Sequence, residues 1–165
     1  MVTIDDIKIL HEFLSKKGID FVLTGTMGLY LHGLLPEGYE PGDIDIIIVS
    51  DKTTKDIVYS VLKDIEYITG GQNVNKEDYM SEVFTFFVGS NRTKVNAILY
   101  HIDESLPFGN YLTTGPIPTH VELIFGKSTL KLHAVDEILK AKFKLHRPKD
   151  YKFYHQLIKT ISSYV

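Results

Sequence analysis

The 165-residue chain contains no cysteine, which removes disulfides, thiolate metal sites and cysteine nucleophiles from consideration together. No apolar run approaches the ~20 residues a membrane-spanning helix needs. The opening stretch Met1-Val2-Thr3-Ile4-Asp5-Asp6 is acidic where a secretory signal is basic, so a cytoplasmic location without a membrane partner is the expectation. A large charge excess is missing as well: the net charge of −3 creates no global field toward nucleic acid or membrane. Internal repeats and low-complexity tracts are absent. What is left is a chain of ordinary hydrophobic and charged content, long enough for one domain with a real core.

Local patterning then sets out the elements. Thr3 followed by Asp5 and Asp6 starts a helix, whose apolar face is Ile7, Leu10, Phe13 and Leu14, and Gly18 stops it. Phe21-Val22-Leu23 is a short strand running into Thr24-Gly25-Thr26, after which Met27 to Leu34 form a buried helix closed by Gly33. Leu35 to Gly42 holds two prolines and two glycines and reads as a loop. Ile44 to Val49 is a long apolar strand. Thr53 or Thr54 caps a third helix with Ile57, Val58, Val61, Leu62 and Ile65 inside. The stretch from Gly70 to Asp78 reads as loop. Strands over Val83–Val88 and Val95–Tyr100 flank a hairpin tip at Gly89–Thr93. Leu106 to Pro118 is an irregular loop, and Val121–Phe125 with Thr129–His133 makes a closing hairpin. A helical section from Val135, interrupted at Pro148, ends the chain. The division expected is a core over 1–134 and a C-terminal helical extension over 135–165 on the same domain. The class is α/β (α+β), with antiparallel strands late in the chain.

Two signals carry chemistry. Asp43 and Asp45 stand one residue apart at the head of the apolar strand. Residues i and i+2 of a strand share a face, so the two carboxylates project together. Unpaired burial of both costs several kcal/mol, and a hard divalent cation removes that cost. The competing reading is turn chemistry, since aspartate before a strand also hydrogen-bonds its own backbone. The second signal is Gly25-Thr26 at a strand-to-helix turn. Gly25 lets the backbone approach a phosphate, helix-start amides donate to it, and Thr26 adds a hydroxyl.

Phe21 to Gly33 followed by Gly42-Asp43-Ile44-Asp45-Ile46-Ile47-Ile48-Val49 resembles the nucleotidyltransferase superfamily, the polymerase-beta-like fold. Its signature is an apolar strand, Gly-Ser or Gly-Gly, a helix, then Asp-x-Asp on the next strand; Thr26 stands at the Ser position. Within that superfamily the chain looks most like small stand-alone members of bacterial toxin–antitoxin systems of the AbiEii kind. Arg147-Pro148-Lys149-Asp150 matches their Arg-x-Lys-Asp motif. The resemblance spans roughly Phe21 to Asp150. It implies a mixed sheet flanked by helices, a short C-terminal helical section, and transfer of a nucleoside monophosphate from an NTP. Mg2+ (or Mn2+) is the implied cofactor, held by Asp43 and Asp45. Gly25 and Thr26 would bind the triphosphate, helped by Lys142, Arg147 and Lys149. The acceptor, whether RNA, protein or small molecule, is left open, as is the oligomeric state.

The family's third carboxylate falls at Asn96. An amide offers one neutral oxygen and cannot take a proton as a base, so this departure points also to a catalytically degenerate relative that binds nucleotide or regulates a partner. The other reading of Asn96 is a polar residue on an edge strand. Glu82, Asp103 and Glu104 are the nearest acids that could replace the missing group. From Ile138 onward seven Lys or Arg residues (Lys140, Lys142, Lys144, Arg147, Lys149, Lys152 and Lys159) face one acid, Asp150. That run is either a solvated face or a wall for polyphosphate or RNA. Lys142 is a triphosphate contact or a surface lysine. His32 is either a group over the site or a helix-end histidine satisfied by backbone. Phe86-Phe87, Tyr151 and Phe153-Tyr154 suit core and helix packing.

Overall fold

A computed structural model describes residues 2–35, 38–71, 74–76, 81–106 and 114–145, with 148, 151, 154, 155, 158, 159 and 162 beyond them. The elements in chain order are α1 (Ile4–Lys16), β1 (Phe21–Thr24), α2 (Gly25–Leu31), β2 (Ile44–Ser50), α3 (Lys55–Thr69) and β3 (Val74–Lys76). They continue with β4 (Ser81–Val88), β5 (Thr93–Ile102), β6 (Thr114–Gly115), β7 (His120–Phe125), β8 (Ser128–His133) and α4 (Val135–Leu145). The mixed α/β architecture expected from the sequence is the one observed.

One mixed sheet runs through the molecule in the order β3-β4-β5-β2-β1-β8-β7, with β6 paired to β5. β1 and β2 are antiparallel and joined by α2, whereas β2 lies parallel to β5 and β1 parallel to β8. The two faces of the sheet differ sharply. Ile44, Ile46 and Ile48 of β2 share one face with Leu23, Ala97 and Phe84, their neighbours in register, and this face is wholly buried. α1 covers it through Ile7, Leu10 and Leu14, and α3 through Leu62 and Ile65. Fully burying such a side chain is worth about 1.5–3 kcal/mol each, so the cohesion of the domain sits here. The opposite face carries Val22, Ile47 and Tyr100 as a small apolar patch, and the polar residues of the site.

Local chemistry explains most boundaries. Thr3 and Asp6 form a reciprocal cap at the start of α1: Asp6 N–H donates to Thr3 Oγ1 at 3.3 Å, and Thr3 N–H to Asp6 Oδ2 at 2.8 Å. Thr54 stands at the N-cap of α3, one of the two positions expected, but its side chain makes no capping hydrogen bond. In the turn before the helix, Asp51 Oδ1 takes the backbone N–H groups of Thr53 (2.8 Å) and Thr54 (2.9 Å) and the Thr53 hydroxyl (2.7 Å). These hydrogen bonds, that from the Thr53 hydroxyl foremost, hold the Asp51 carboxyl down at about 2. Ile57 is exposed rather than inner. At about 100° per residue it lies on the flank of the stripe made by Val58, Val61, Leu62 and Ile65. Glu66 joins the buried face in its place.

Two short strands also fall where loops were expected. β3 pairs with β4 and β6 with the end of β5. Neither is long enough to show a period of two, so only pairing reveals them.

Candidate functional site

The register of the sheet assembles the site. Thr24 of β1 pairs with Asp45 of β2, Asp45 with Asn96 of β5, and Asn96 with Thr85 of β4. Residues paired across neighbouring strands share a face, so four polar side chains form one row across the sheet. His133 at the end of β8 extends it, its Nδ1 lying 3.0 Å from Thr24 Oγ1. All five are on the face opposite the main apolar core.

Asp43 and Asp45 both point at Asn96. The Asn96 amide nitrogen donates to Asp43 Oδ2 at 2.8 Å and to Asp45 Oδ1 at 3.1 Å, while its Oδ1 accepts from the Thr85 hydroxyl at 3.3 Å. Asn96 is therefore no edge-strand residue: β5 is flanked by β2 and β4, and the side chain is buried. Asp103 and Glu104, considered as replacements, do not reach this position. They lie beyond the far end of β5, about seven residues or ~23 Å along the strand from Asn96. Asp103 instead accepts from Ser105. Glu82 stands three positions before Thr85 on β4, outside the register of Asn96.

The glycine turn abuts the aspartates. Gly25 opens α2 with φ +66°, a left-handed conformation that disfavours side chains. A Cβ built on it would lie 2.5 Å from Asp45 Oδ2. The turn and the carboxylate thus press against each other as closely as a residue without a side chain allows. On the far side of the turn the Lys142 ammonium of α4 donates to Thr26 Oγ1 at 3.2 Å. Lys142 is buried, so it is not a surface lysine. α4 is held there by Ile138, packed with Leu29 of α2. Arg147 and Lys149, named for phosphate contact, lie outside the described residues, as does Asp150.

His32 and His133 support the scaffold. His32 Nε2 lies 2.8 Å from the His133 carbonyl oxygen, the backbone-satisfied role. The His133 imidazole is pushed down to about 4 by burial above all, with His120 and His32 adding to it against Asp136. It is neutral at pH 7 and a fixed partner for Thr24. Beyond the other end of the row, Glu66 of α3 accepts the Thr85 backbone N–H at 3.0 Å through Oε2. Sequence reasoning missed Thr24, Thr85, His133 and Glu66. For the strand residues the available signal was a polar residue within or at the end of an apolar strand, as in Phe84-Thr85-Phe86 and Val22-Leu23-Thr24.

Whether these residues suit a divalent cation follows from the donor set. Among the described residues no group of three or more His, Cys, Asp or Glu side chains could hold a metal. Two carboxylates and an amide do converge. That set suits a hard cation which keeps several waters and shares one or two carboxylates with substrate phosphates; it does not suit a closed, all-protein cage.

No family model matches the sequence, and no curated protein does. Among solved structures the chain is similar to an antigenic nucleotidyltransferase-like protein from Paracoccidioides brasiliensis. The TM-score is 0.52 at 17% sequence identity, and the match covers 98% of this chain and 78% of that one. Among the described residues no helix is long and apolar enough to cross a membrane. The likeness in architecture, over nearly the full chain, gives this protein a nucleotidyltransferase-type fold.

Proposed function

We propose that the protein is a nucleotidyltransferase that moves a nucleoside monophosphate from an NTP to an acceptor hydroxyl. The observation that carries this reading is the contact between the two halves of the site, the Gly25 backbone against the Asp45 carboxylate. A nucleotide anchored at the turn therefore has its phosphates beside the acids. Gly25 and Thr26 receive the triphosphate through backbone amide and hydroxyl donors, and Lys142 neutralises part of its charge. Asp43 and Asp45 hold Mg2+ or Mn2+. When bound, the cation polarises the phosphate and stabilises charge on the departing pyrophosphate. The acceptor oxygen bonds to the α-phosphorus as pyrophosphate leaves. Asn96 is no base, so the acceptor's proton passes to solvent water or to the departing pyrophosphate. The same reading places the chain near the AbiEii kind of toxin–antitoxin protein and in the cytoplasm, where NTPs are abundant. The acceptor class is RNA, protein or a small hydroxyl compound.

Incubation with α-labelled NTPs, Mg2+ or Mn2+, and total RNA or protein tests the proposal. Label transfer is expected, and Asp45→Asn abolishes it without unfolding the chain. A second reading has its own support, in the amide that bridges the two acids. It is a catalytically silent relative that binds nucleotide and serves a regulatory partner. Thermal stabilisation by NTP and Mg2+, with no label on any acceptor, would replace the first reading by the second.

A further inference from the structure

We infer that Asn96 makes the acidic pair take up its cation only together with a nucleotide's phosphates. The inference rests on the nucleotidyltransferase reading for the identity of the second ligand, and on the geometry of Asn96 for the rest.

One buried amide nitrogen donates to both Asp43 Oδ2 and Asp45 Oδ1. The orientation of the amide follows from chemistry. Ionised carboxylates only accept, so a carbonyl oxygen turned toward them would set three acceptors face to face with no proton between them. The Thr85 hydroxyl completes the arrangement by donating to the Asn96 oxygen. The amide hydrogens thus occupy the position between the acids and offset part of their repulsion. The resting protein has no need of a metal.

A cation arriving alone must expel this donor. It would gain two carboxylate oxygens and, at most, the neutral oxygen of a rotated amide. Rotation is available because Thr85 can reverse from donor to acceptor by turning its hydroxyl. It nevertheless breaks two hydrogen bonds to charged groups, the stronger kind in a protein. A triphosphate seated at Gly25, Thr26 and Lys142 supplies the anionic oxygens that this exchange lacks. Cation and nucleotide therefore enter as a unit, and the chain's departure at position 96 sets that order. An aspartate there would remove the blocking donor and add a third charge, so that the cation could bind first.

Mn2+ binding followed by electron paramagnetic resonance, with and without α,β-methylene-ATP and corrected for the nucleotide blank, reads this directly. Wild-type protein is expected to take up no Mn2+ below about 1 mM without nucleotide, and to take it up with the analogue. Asn96→Asp is expected to bind Mn2+ alone, on the order of ten- to a hundredfold more tightly than wild type. Should the extra charge prevent folding, Asn96→Ala carries the test, because it removes the donor without adding charge and also exposes the acids to Mn2+ alone. Wild-type uptake of Mn2+ alone at the variants' affinity overturns the inference. So does failure of the folded variants to bind Mn2+ alone. Wild-type uptake in neither condition, beside capture by the variants, overturns the coupling to nucleotide. Coupled uptake without any label transfer leaves the inference standing and rejects the enzyme reading alone.

Discussion

Replacing Gly25 with alanine should injure the protein in two separable ways. Gly25 holds φ +66°, and an L-residue in that region costs about 1–2 kcal/mol. The added Cβ would also lie 2.5 Å from Asp45 Oδ2, about an ångström short of ordinary van der Waals contact. Asp45 must therefore swing away, losing the hydrogen bond from Asn96, a charge-assisted contact worth about 1.5–3 kcal/mol. Together the two effects predict a loss of about 2.5–5 kcal/mol. Gly18 provides the control. It has φ +70°, but a Cβ there meets nothing within 4 Å, so Gly18→Ala should cost only the backbone part, about 1–2 kcal/mol. Urea unfolding of both variants measures the difference, and Mn2+–nucleotide binding should survive Gly18→Ala and fail in Gly25→Ala. A double-mutant cycle with Asp45→Ala should show coupling of about 1 kcal/mol or more. Equal stability losses at the two glycines, with binding intact in both, would refute the close approach of the turn to the carboxylate.

Two further outcomes follow from the ends of the polar row. His133 is neutral in the folded protein down to about pH 4, whereas an unfolded histidine charges near 6.5. Between those values the unfolded chain binds the extra proton, so this group's contribution to stability falls as pH drops, by about 2 kcal/mol at pH 5. The difference between wild type and His133→Asn, measured by urea unfolding at pH 7 and pH 5, should report that loss. Glu66→Ala leaves the buried Thr85 N–H without its acceptor and should cost about 1–3 kcal/mol. Glu66→Gln keeps an acceptor oxygen and should restore most of it in the same assay.

How much of this was legible beforehand depended on distance along the chain. α1, β1, α2, β2 and the β4–β5 hairpin follow from caps, glycines and periodicity, because each is decided within a dozen neighbouring residues. The pairing of Asp43 with Asp45 was equally local. The partners that turn those signals into a site are remote: Thr24 meets His133 across 109 residues, and Lys142 meets Thr26 across 116. Strand order brings them together, and strand order is a property of the whole sheet. The same distance explains why Lys142 could be read as a surface residue and Asn96 as belonging to an edge. In both cases local polarity was visible, and the neighbour that buries it was not. Glu66 was hidden for a different reason. A carboxylate inside a helix's apolar stripe looks like a surface charge until the N–H of the adjacent strand is seen to need an acceptor.

The division of labour between the two sides of the sheet has a lasting consequence for this chain. Its cohesion is concentrated behind β2, under α1 and α3, while Asp43, Asp45 and Asn96 stand in front. Under the proposed function, a substitution in the front row can abolish binding while the rear scaffold keeps its shape, so a well-folded variant is no witness to a working one. Stability alone therefore cannot report on the proposed function, and binding at the front of the sheet has to be assayed on its own.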